Sequence, residues 1–194
     1  MKVAIVKYNA GNTASVLNAL ARLGIAADVT DNAVKLAAAD RIIFPGVGEA
    51  SSAMRFLSER GLDNVIRELK QPVLGICLGM QLFCASSEEN ETECLGIANL
   101  RVRRFAAGDL KVPHMGWNRV EANRSKLFSG IGGDEYFYFV HGYFAETGSE
   151  TSGLCVYGVP FSAAIEIRNF YGVQFHPEKS GDAGMEVLKN FLNL

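Results

Sequence analysis

The amino-acid sequence predicts an α/β fold, in which a mostly parallel sheet carries helices on both faces and is extended by antiparallel strands. In the first half of the chain, short apolar runs alternate with helix-like patterns, and glycines separate them. This alternation is typical of doubly wound parallel sheets. The second half holds short apolar runs separated by turns, which indicates antiparallel strands. Because no linker, repeat or low-complexity tract interrupts the 194 residues, we expect a single domain, 1–194.

The elements of the first half follow from local patterns. Short apolar runs bounded by glycine or proline predict buried strands, and apolar residues at helical spacing predict helices. The turn 9–12 can also cap the helical pattern that follows it. In chain order, we predict a strand at 3–8, a helical pattern at 16–23, a strand at 41–44, a helical pattern at 53–69 that breaks at Gly61, and a strand at 73–76.

The second half reads as a series of strands followed by one helix. Glycine-rich clusters at 129–133 and 147–149 mark loops or hairpins. The last residues place apolar side chains at helical spacing, so we expect this helix to pack back on the sheet. We predict strands at 100–103, 136–140, 154–159, 163–167 and 171–175, and the helix at 183–194.

Composition excludes several classes of protein. Hydrophobic residues make up 48% of the chain and charged residues 21%, which excludes disorder. The net charge of −2 leaves no positive excess for a nucleic-acid backbone, and no apolar run reaches the roughly 18 residues that a bilayer requires. The amino terminus lacks the features of a signal peptide. We therefore expect a soluble, cytoplasmic protein that binds neither nucleic acid nor membrane.

The four cysteines and three histidines do not have the spacing of a metal site. We expect no metal. In a reducing compartment a cysteine is usually a small buried hydrophobe, and this interpretation fits Cys84, Cys94 and Cys155. Cys77 is the exception, because of the residues that flank it.

Cys77 lies in Gly75-Ile-Cys-Leu-Gly79, between an apolar strand and a helix-compatible stretch. This is the pattern of a nucleophile elbow with cysteine in place of serine. A tight strand-to-helix turn strains the backbone at the nucleophile, and glycines two residues to either side let the turn close. The helix amino terminus favours the thiolate. A buried cysteine after a core strand remains the alternative.

A thiol nucleophile needs a base, and the base needs an orienting group. His176 and Glu178 follow an apolar strand with Pro177 between them, so the imidazole is expected over the same sheet edge as Cys77. The carboxylate would then fix the tautomer of the imidazole. Together with the elbow, these residues predict a Cys-His-Glu triad.

Acyl transfer also needs donors for an oxyanion. The backbone N–H of Leu78 is one candidate, and the glycine-rich loop 44–48 after the second predicted strand is another. Residues 46–51 also resemble a truncated dinucleotide-binding loop. No acidic residue ends a strand about twenty residues later, which disfavours nucleotide binding.

These motifs resemble the class I glutamine amidotransferases along nearly the whole chain. The resemblance rests on Pro45-Gly-Val-Gly48, Gly75-Ile-Cys-Leu-Gly-Met-Gln81 and Gln174-Phe-His-Pro-Glu178. Three further segments, Tyr8-Asn-Ala-Gly-Asn12, Pro113-His-Met-Gly-Trp-Asn118 and Phe139-Val-His-Gly-Tyr143, are similar to the glutaminase subunits of imidazole glycerol phosphate synthase in histidine biosynthesis. The resemblance implies a flavodoxin-like fold, no cofactor, and hydrolysis of glutamine to glutamate and ammonia.

The resemblance also implies roles for individual residues. Cys77 would be the nucleophile, His176 the general base and then acid, and Glu178 its orienting carboxylate. Val47 and Leu78 would supply oxyanion N–H groups, and Gly48, Gln81 and the backbone at Gly142 would hold the two ends of glutamine. Gly142 departs from the small polar residue expected there, so only its backbone is implicated.

A partner is implied as well: a cyclase subunit that forms a heterodimer with this chain and receives its ammonia to make imidazole glycerol phosphate and aminoimidazole carboxamide ribotide. Lys179, Trp117 and Asn12 would face the cyclase, and Tyr138 would lie near the ammonia exit. Exposed charge, core aromatic and helix cap are the alternatives for the first three. His114 and His141 are interpreted as structural or interfacial, and the acidic run 88–93 as a solvated helix end.

Rival functions stay open at this point. The chain could be another amidotransferase subunit, such as that of anthranilate or pyridoxal phosphate synthesis, although the His-Met-Gly-Trp-Asn segment disfavours this. It could be a non-catalytic binding protein, or a cysteine peptidase or γ-glutamyl hydrolase on the same fold. We also expect the isolated chain to be nearly inactive, because the N–H groups of loop 45–48 point away from the oxyanion until the partner binds its ligand.

Overall fold

The structure is a computed structural model and describes residues 1–9, 11–106, 108, 110–122 and 125–194. Short 3-10 helices cover Glu89–Glu91, Lys126–Phe128 and Pro177–Lys179. The α-helices are α1 (Thr13–Arg22), α2 (Ala33–Ala37), α3 (Ala50–Glu59), α4 (Leu62–Glu68), α5 (Leu78–Phe83) and α6 (Gly181–Leu192). The strands are β1 (Val3–Val6), β2 (Ala27–Thr30), β3 (Arg41–Phe44), β4 (Val73–Ile76), β5 (Ser86–Ser87), β6 (Thr92–Glu93), β7 (Arg101–Arg104), β8 (His114–Arg119), β9 (Glu121–Ala122), β10 (Tyr136–His141), β11 (Tyr143–Ala145), β12 (Thr151–Tyr157), β13 (Val159–Ile167) and β14 (Phe170–Val173).

The main sheet has the strand order β2-β1-β3-β4-β14-β13-β12-β9. Its first five strands run parallel, and β13, β12 and β9 continue it antiparallel. This confirms the predicted parallel core with an antiparallel extension. One strand from the second half, β14, joins the parallel part beside β4, in the register Val173 to Ile76.

Two smaller sheets flank the end of the main sheet. Strands β8 and β10 form an antiparallel pair, and β11, β7, β5 and β6 form a four-stranded sheet. The residue between β10 and β11 is Gly142, which therefore marks the point where the chain leaves one small sheet for the other.

Apolar layers cover both faces of the main sheet. Successive residues of a strand point to opposite faces, so Ala4 and Val6 of β1 join one core cluster while Val3 and Ile5 join the other. The first cluster includes residues of α2, α3 and α4, and the second includes residues of α1 and α6. The predicted covering of both faces by helices is confirmed.

Individual elements match the prediction to different degrees. The strands at 41–44 and 73–76 have the predicted bounds, and the pattern at 53–69 forms α3 and α4 with a left-handed Gly61 between them at a φ of 65°. The sequence did not predict β2, α2, β5, β6, β8, β9 or β11. β2 lies at the edge of the sheet and only its last residue is buried, so it shows no apolar run, and α2 is too short for periodicity.

The predicted strand at 154–159 is wrong at its end. Gly158 has a φ of +69° and separates β12 from β13, which pair with each other across it. A positive φ at this position requires a turn, which glycine adopts readily. The apolar residues on both sides of this glycine extended the first predicted strand across the turn, and the strand predicted at 163–167 in fact begins at Val159.

The carboxyl ends of β3, β4 and β14 meet at one edge of the sheet, because these strands are parallel neighbours. Loop 45–49, Cys77 and residues 174–176 follow these three ends directly. Such an edge is where open α/β sheets bind their ligands. Within the described ranges, no helix has both the length and the apolar character to span a membrane.

Candidate active site

Cys77 stands on the sharp turn between β4 and α5. Its φ of 53° and ψ of −108° lie in a region that side-chain-bearing residues rarely occupy, and its N–H donates to the carbonyl of Val173 at 2.8 Å. A Cβ on Gly79 would overlap the carbonyl oxygen of Phe44, and a Cβ on Gly75 would lie 2.7 Å from the backbone nitrogen of Met80. The two flanking glycines are thus a steric requirement of the turn, as the sequence predicts.

His176 and Glu178 form a buried pair just beyond β14. The Nδ1 of His176 donates to Oε1 of Glu178 at 2.8 Å, since the carboxylate can only accept. The backbone of His176 is held by Tyr138, whose carbonyl accepts its N–H at 2.9 Å, and by the Ser180 hydroxyl, which donates to its carbonyl at 2.7 Å. The His176 Nε2 is buried and has no hydrogen-bond partner among the described residues, so it is free to exchange a proton with a reacting group.

The charge state of His176 reflects two opposing effects. Burial lowers its pKa, whereas the neighbouring Cys77 and Glu178 side chains raise it and outweigh burial, so that the pKa rises to about 10. A histidine with this pKa is protonated at neutral pH when its neighbours carry negative charge. The arrangement therefore supports an imidazolium at His176.

A pocket of about 320 Å³ opens above Cys77. Its lining brings together every residue that the sequence implicates in oxyanion or glutamine binding, namely Val47, Gly48, Leu78, Gln81 and Gly142. The lining also contains five residues that were not predicted to bind glutamine, namely Glu89, Pro113, Val140, His141 and Tyr143.

The two predicted oxyanion donors do not both face this pocket. The carbonyl of Gly46 accepts a hydrogen bond from the N–H of Leu78 at 3.3 Å. In a trans peptide the next N–H points opposite to the carbonyl, so the N–H of Val47 is directed away from Leu78. The Tyr8 hydroxyl donates to the Pro45 carbonyl at 2.6 Å and so ties down the start of the same loop. The loop is held in a conformation without an oxyanion hole.

Comparison with known proteins agrees with this geometry. The family model described as glutamine amidotransferase class-I matches residues 4–194. The chain belongs to the class I glutamine amidotransferase family. The amidotransferase is similar to relatives described as imidazole glycerol phosphate synthase subunit HisH. That of Bacteroides fragilis is 55% identical and that of Bacteroides thetaiotaomicron 53% identical, each with full coverage of both chains. The Vibrio cholerae relative is 46% identical over 99% of this chain and 98% of its own.

Solved structures share the fold of the amidotransferase. A glutamine amidotransferase crystal structure matches with a TM-score of 0.77 and 21% identity, covering 98% of this chain and 97% of its own. PurLQS from Thermotoga maritima matches with a TM-score of 0.73 and 19% identity, covering 99% of this chain and 97% of its own. At such low identity these matches establish the architecture alone.

The acidic run 88–93 of the amidotransferase is mostly exposed, as predicted, but it does not end an α-helix, so that part of the interpretation was wrong. The run forms the 3-10 turn and the second strand, β6, of the β5–β6 hairpin. Glu89 lines the pocket, and one of its carboxylate oxygens accepts the N–H of Ala50 at 2.7 Å, the first residue of α3. Partial burial raises the pKa of Glu89, the Ala50 N–H lowers it, and Glu49 raises it, with a net rise. Sequence alone gave no signal for this residue, because its role depends on a contact with α3.

Two buried glutamines link the pocket wall to the nucleophile. Gln81 Nε2 donates to the Tyr143 carbonyl at 2.8 Å and to Gln174 Oε1 at 2.9 Å. Gln174 Nε2 lies 3.6 Å from the Cys77 sulfur. Gln174 belongs to the Gln174-Phe-His-Pro-Glu178 motif, but nothing in its spacing predicted this contact with Cys77.

His114 and His141 form a neutral pair beside the pocket. The Tyr143 carbonyl can only accept, so His141 Nδ1 carries its proton and donates at 2.7 Å, and His141 Nε2 accepts from His114 Nδ1 at 2.9 Å. Burial lowers the pKa of His114 to about 4. Burial, opposed by the Tyr143 hydrogen bond and reinforced by the other two histidines, lowers the pKa of His141 to about 3.

The residues assigned to the partner face lie in different environments. Trp117 is 55% exposed and packs edge-on against Tyr138 with ring centroids 6.0 Å apart, so the alternative of a core aromatic is wrong. Lys179 is exposed. Asn12 precedes α1 but makes no side-chain cap, so that alternative is also wrong. Its Nδ2 instead donates to Oε1 of Glu178 at 2.8 Å.

The other three cysteines are buried and free, as predicted. Burial raises the pKa of the Cys84, Cys94 and Cys155 thiols, which disfavours the reactive thiolate. Among the residues that the structure describes, no cluster of three or more histidine, cysteine, aspartate or glutamate side chains could hold a metal ion.

Proposed function

We propose that this amidotransferase is the glutaminase subunit of an imidazole glycerol phosphate synthase, and that Cys77, His176 and Glu178 hydrolyse glutamine to glutamate and ammonia. The observation that carries the proposal is the strained Cys77 at the floor of the pocket, next to a buried His176–Glu178 pair. Full-length relatives described as subunits of that synthase support the choice of substrate and pathway.

The reaction proceeds through a γ-glutamyl thioester. The Cys77 thiolate attacks the γ-carbonyl carbon of glutamine, and the tetrahedral intermediate expels ammonia as His176 transfers the proton from its Nε2 to the departing nitrogen. His176 then removes a proton from water, which attacks the thioester and breaks its C–S bond. Glutamate leaves and the thiolate returns. Throughout, Glu178 holds the Nδ1 proton and stabilises the imidazolium.

The pocket offers complementary groups to the two ends of glutamine. Both hydrogens of Gln81 Nε2 are engaged within the protein, so its Oε1 is the atom left to accept from the α-ammonium group. The Glu89 carboxylate supplies negative charge for the same group. Backbone N–H groups at Gly48 and Gly142 would hold the α-carboxylate. Binding of these two groups places the γ-amide of glutamine next to the Cys77 thiolate.

The ammonia passes to a cyclase subunit that joins this chain in a heterodimer and uses the ammonia to form imidazole glycerol phosphate and aminoimidazole carboxamide ribotide. The exposed Trp117 and Lys179, with Tyr138 behind the tryptophan, would form part of the contact face and ammonia exit. Such a handover requires that ammonia leave unprotonated.

The partner also controls the chemistry. In the free chain the Leu78 N–H is occupied by Gly46 and the Val47 N–H points away. Rotation of the peptide between Gly46 and Val47 would remove the carbonyl and bring the Val47 N–H beside that of Leu78, which completes an oxyanion hole. We expect binding of the cyclase and its ligand to favour that rotation.

The test measures glutamate release from glutamine by the chain alone and with a cyclase subunit of imidazole glycerol phosphate synthase and its ribonucleotide substrate. We expect strong activity only with the loaded cyclase, and a Cys77→Ala loss of at least about a thousandfold. Cys155→Ala, at a buried cysteine away from the pocket, is the matched control and keeps activity. Activity of Cys77→Ala close to that of wild type would refute the proposed nucleophile, and equal turnover with and without the cyclase would refute activation by the partner.

A further inference from the structure

We propose that Gln174 is a further catalytic residue of this site: its side-chain amide donates a hydrogen bond to the Cys77 sulfur and stabilises the attacking thiolate, and Gln81 positions that amide. The inference rests on the proposed function for the identity of the nucleophile. It adds a hydrogen-bond donor to the triad: the side chain of Gln174, which directly precedes Phe175 and His176 in the chain.

Gln174 is built into the core rather than into the pocket surface. Its side chain is completely buried, and its backbone N–H donates to Ala163 of the neighbouring strand β13 at 2.8 Å. A buried amide has to satisfy its polar atoms within the protein. Gln174 does so through Gln81 Nε2 at 2.9 Å on one side and Cys77 Sγ at 3.6 Å on the other.

The direction of these hydrogen bonds is fixed by a backbone atom. The carbonyl of Tyr143 can only accept, so Gln81 must turn its NH₂ group toward it. The same NH₂ group faces Gln174, which must therefore present its oxygen to Gln81. The amide nitrogen of Gln174 is left to face the sulfur of Cys77. An amide flip of either glutamine would bring two donors or two acceptors together.

The Tyr143 carbonyl, where this series of hydrogen bonds begins, also accepts a second hydrogen bond. His141 Nδ1 donates to it at 2.7 Å, and His114 fixes the His141 tautomer from behind. With two donors on one oxygen, the carbonyl has no freedom to turn. The orientation of Gln174 is therefore set by packing well away from the sulfur.

A donor at this position matters because the sulfur has few other sources of stabilisation. The Val140 carbonyl, 3.9 Å from Sγ, favours the neutral thiol, since it can only accept. The titratable groups around the sulfur are Tyr8, Glu89, His141 and His176, and at neutral pH only His176 can supply positive charge. An N–H directed at the sulfur strengthens when the thiolate forms and also fixes where its lone pairs point.

The decisive variant is Gln174→Glu. It retains an oxygen for Gln81 and replaces only the NH₂ group that faces the sulfur. Cys77 is alkylated with iodoacetamide across pH 5.5–10 and the modified peptide is quantified by mass spectrometry. Because hydrogen bonds to charged groups contribute about 1.5–3 kcal/mol, we expect the midpoint of the profile to rise by about one to two pH units, with 10- to 100-fold slower alkylation below it. Gln71→Glu, whose amide donates to the Leu36 carbonyl far from the pocket, is the control and leaves the midpoint unchanged.

A second variant separates loss of the donor from added charge. Gln174→Met has similar volume, no donor and no charge, and we expect it to raise the midpoint as well. A shift in Gln174→Glu alone would mean that charge repulsion explains the result and would overturn the proposal, as would unchanged midpoints in both variants. If neither variant folds, the wild-type chain decides: the Gln174 side-chain amide resonances must shift with the same pH midpoint as alkylation, and constant resonances would overturn it.

The alkylation readout is independent of glutamine hydrolysis. If Gln174 has no effect on the thiolate, the midpoints stay constant while Cys77→Ala still abolishes glutaminase activity. If the proposed function fails, Cys77→Ala keeps glutaminase activity while the alkylation midpoints can still shift. The two failures are therefore distinguishable.

Discussion

At the scale of single residues, the environment of Glu178 extends the proposed triad beyond Cys77, His176 and Glu178 themselves. Its Oε1 accepts hydrogen bonds from both His176 and Asn12, whereas its Oε2 is buried without a partner among the described residues. Asn12 thus helps to hold the carboxylate that orients the imidazole. Asn12 therefore positions Glu178, in addition to any contact that it makes with a partner subunit.

Removal of this support should lower turnover. We expect Asn12→Ala to reduce kcat about tenfold in the complex with the cyclase, since a hydrogen bond to a charged group contributes about 1.5 kcal/mol or more. KM for glutamine should change little, because Asn12 does not line the pocket. Asn64→Ala, at an exposed asparagine of α4, is the control. A rise in KM with unchanged kcat would contradict this role.

The sequence identified Cys77, His176 and Glu178 because local spacing alone defines them: a cysteine between two glycines and a histidine two residues before a glutamate. Glu89, Asn12 and Gln174 escaped this kind of prediction. Their contacts join residues 39, 166 and 97 positions apart in the chain, to Ala50, Glu178 and Cys77 respectively. No local pattern encodes such distances.

At the scale of elements, the turn between β4 and α5 depends on close approach of two backbones. A side chain on Gly79 would overlap the carbonyl of Phe44 at the end of β3, and a Cβ on Gly75 would lie 2.7 Å from the backbone nitrogen of Met80 in α5. The turn therefore packs directly against the neighbouring strand. This contact places Cys77 at the sheet edge.

Filling this contact should destabilise the fold. We expect Gly79→Ala to lower the free energy of unfolding by about 3 kcal/mol, because the overlap involves rigid backbone on both sides. Gly132→Ala is the control, since a Cβ there meets nothing within 4 Å and its φ is ordinary. Urea unfolding of both variants measures the difference. Equal stability of the two variants would mean that the turn can relax without loss.

The loop 45–48 is a second element with a testable constraint. The Tyr8 hydroxyl binds the Pro45 carbonyl, and the Tyr8 ring packs on Phe44 with centroids 5.0 Å apart. Tyr8→Phe keeps the ring contact and removes the hydrogen bond. We expect glutaminase activity without the cyclase to rise severalfold, because the loop turns its peptide more easily. Unchanged or lower basal activity, with normal activity in the complex, would show that Tyr8 does not restrain the loop.

Elements were predictable where burial is uniform and unpredictable where it is partial. Strands β3 and β4 are buried almost throughout and form unbroken apolar runs, so their bounds were predicted correctly. The edge strand β2 and the short helix α2 show no such runs. The boundary between β12 and β13 was misplaced because apolar residues continue on both sides of Gly158, and only its φ reveals the turn.

At the scale of the whole molecule, buried histidines determine how stability depends on pH. His114 and His141 have pKa values lowered to about 4 and about 3, so the folded chain leaves them neutral between pH 5 and 6.5. In the unfolded chain both histidines become protonated as the pH falls below their ordinary pKa of 6.5. His176 adds nothing in this window, because its raised pKa keeps it protonated in both states. Stability therefore falls as the pH drops below 6.5.

Each buried neutral histidine contributes a slope of about 1.4 kcal/mol per pH unit in this window. We expect the free energy of unfolding of His114→Gln to fall less steeply than that of wild type between pH 6.5 and 5, by about this amount per unit. Above pH 6.5 the sign reverses, since His176 keeps its proton in the folded chain up to a pKa of about 10 while the unfolded chain loses it. Urea unfolding at several pH values measures both trends, and parallel curves for wild type and variant below pH 6.5 would contradict the assignment.

Local patterns in the sequence were enough to predict the fold class, the parallel core with its antiparallel extension, and the placement of Cys77 and His176 at one edge of the sheet. These depend on the spacing of apolar residues and glycines, which is local. Only the folded structure shows the contact of Glu89 with α3 and the hydrogen bonds from Tyr143 through Gln81 and Gln174 to Cys77. The physical reason is that hydrogen-bond direction depends on which groups the folded chain brings face to face.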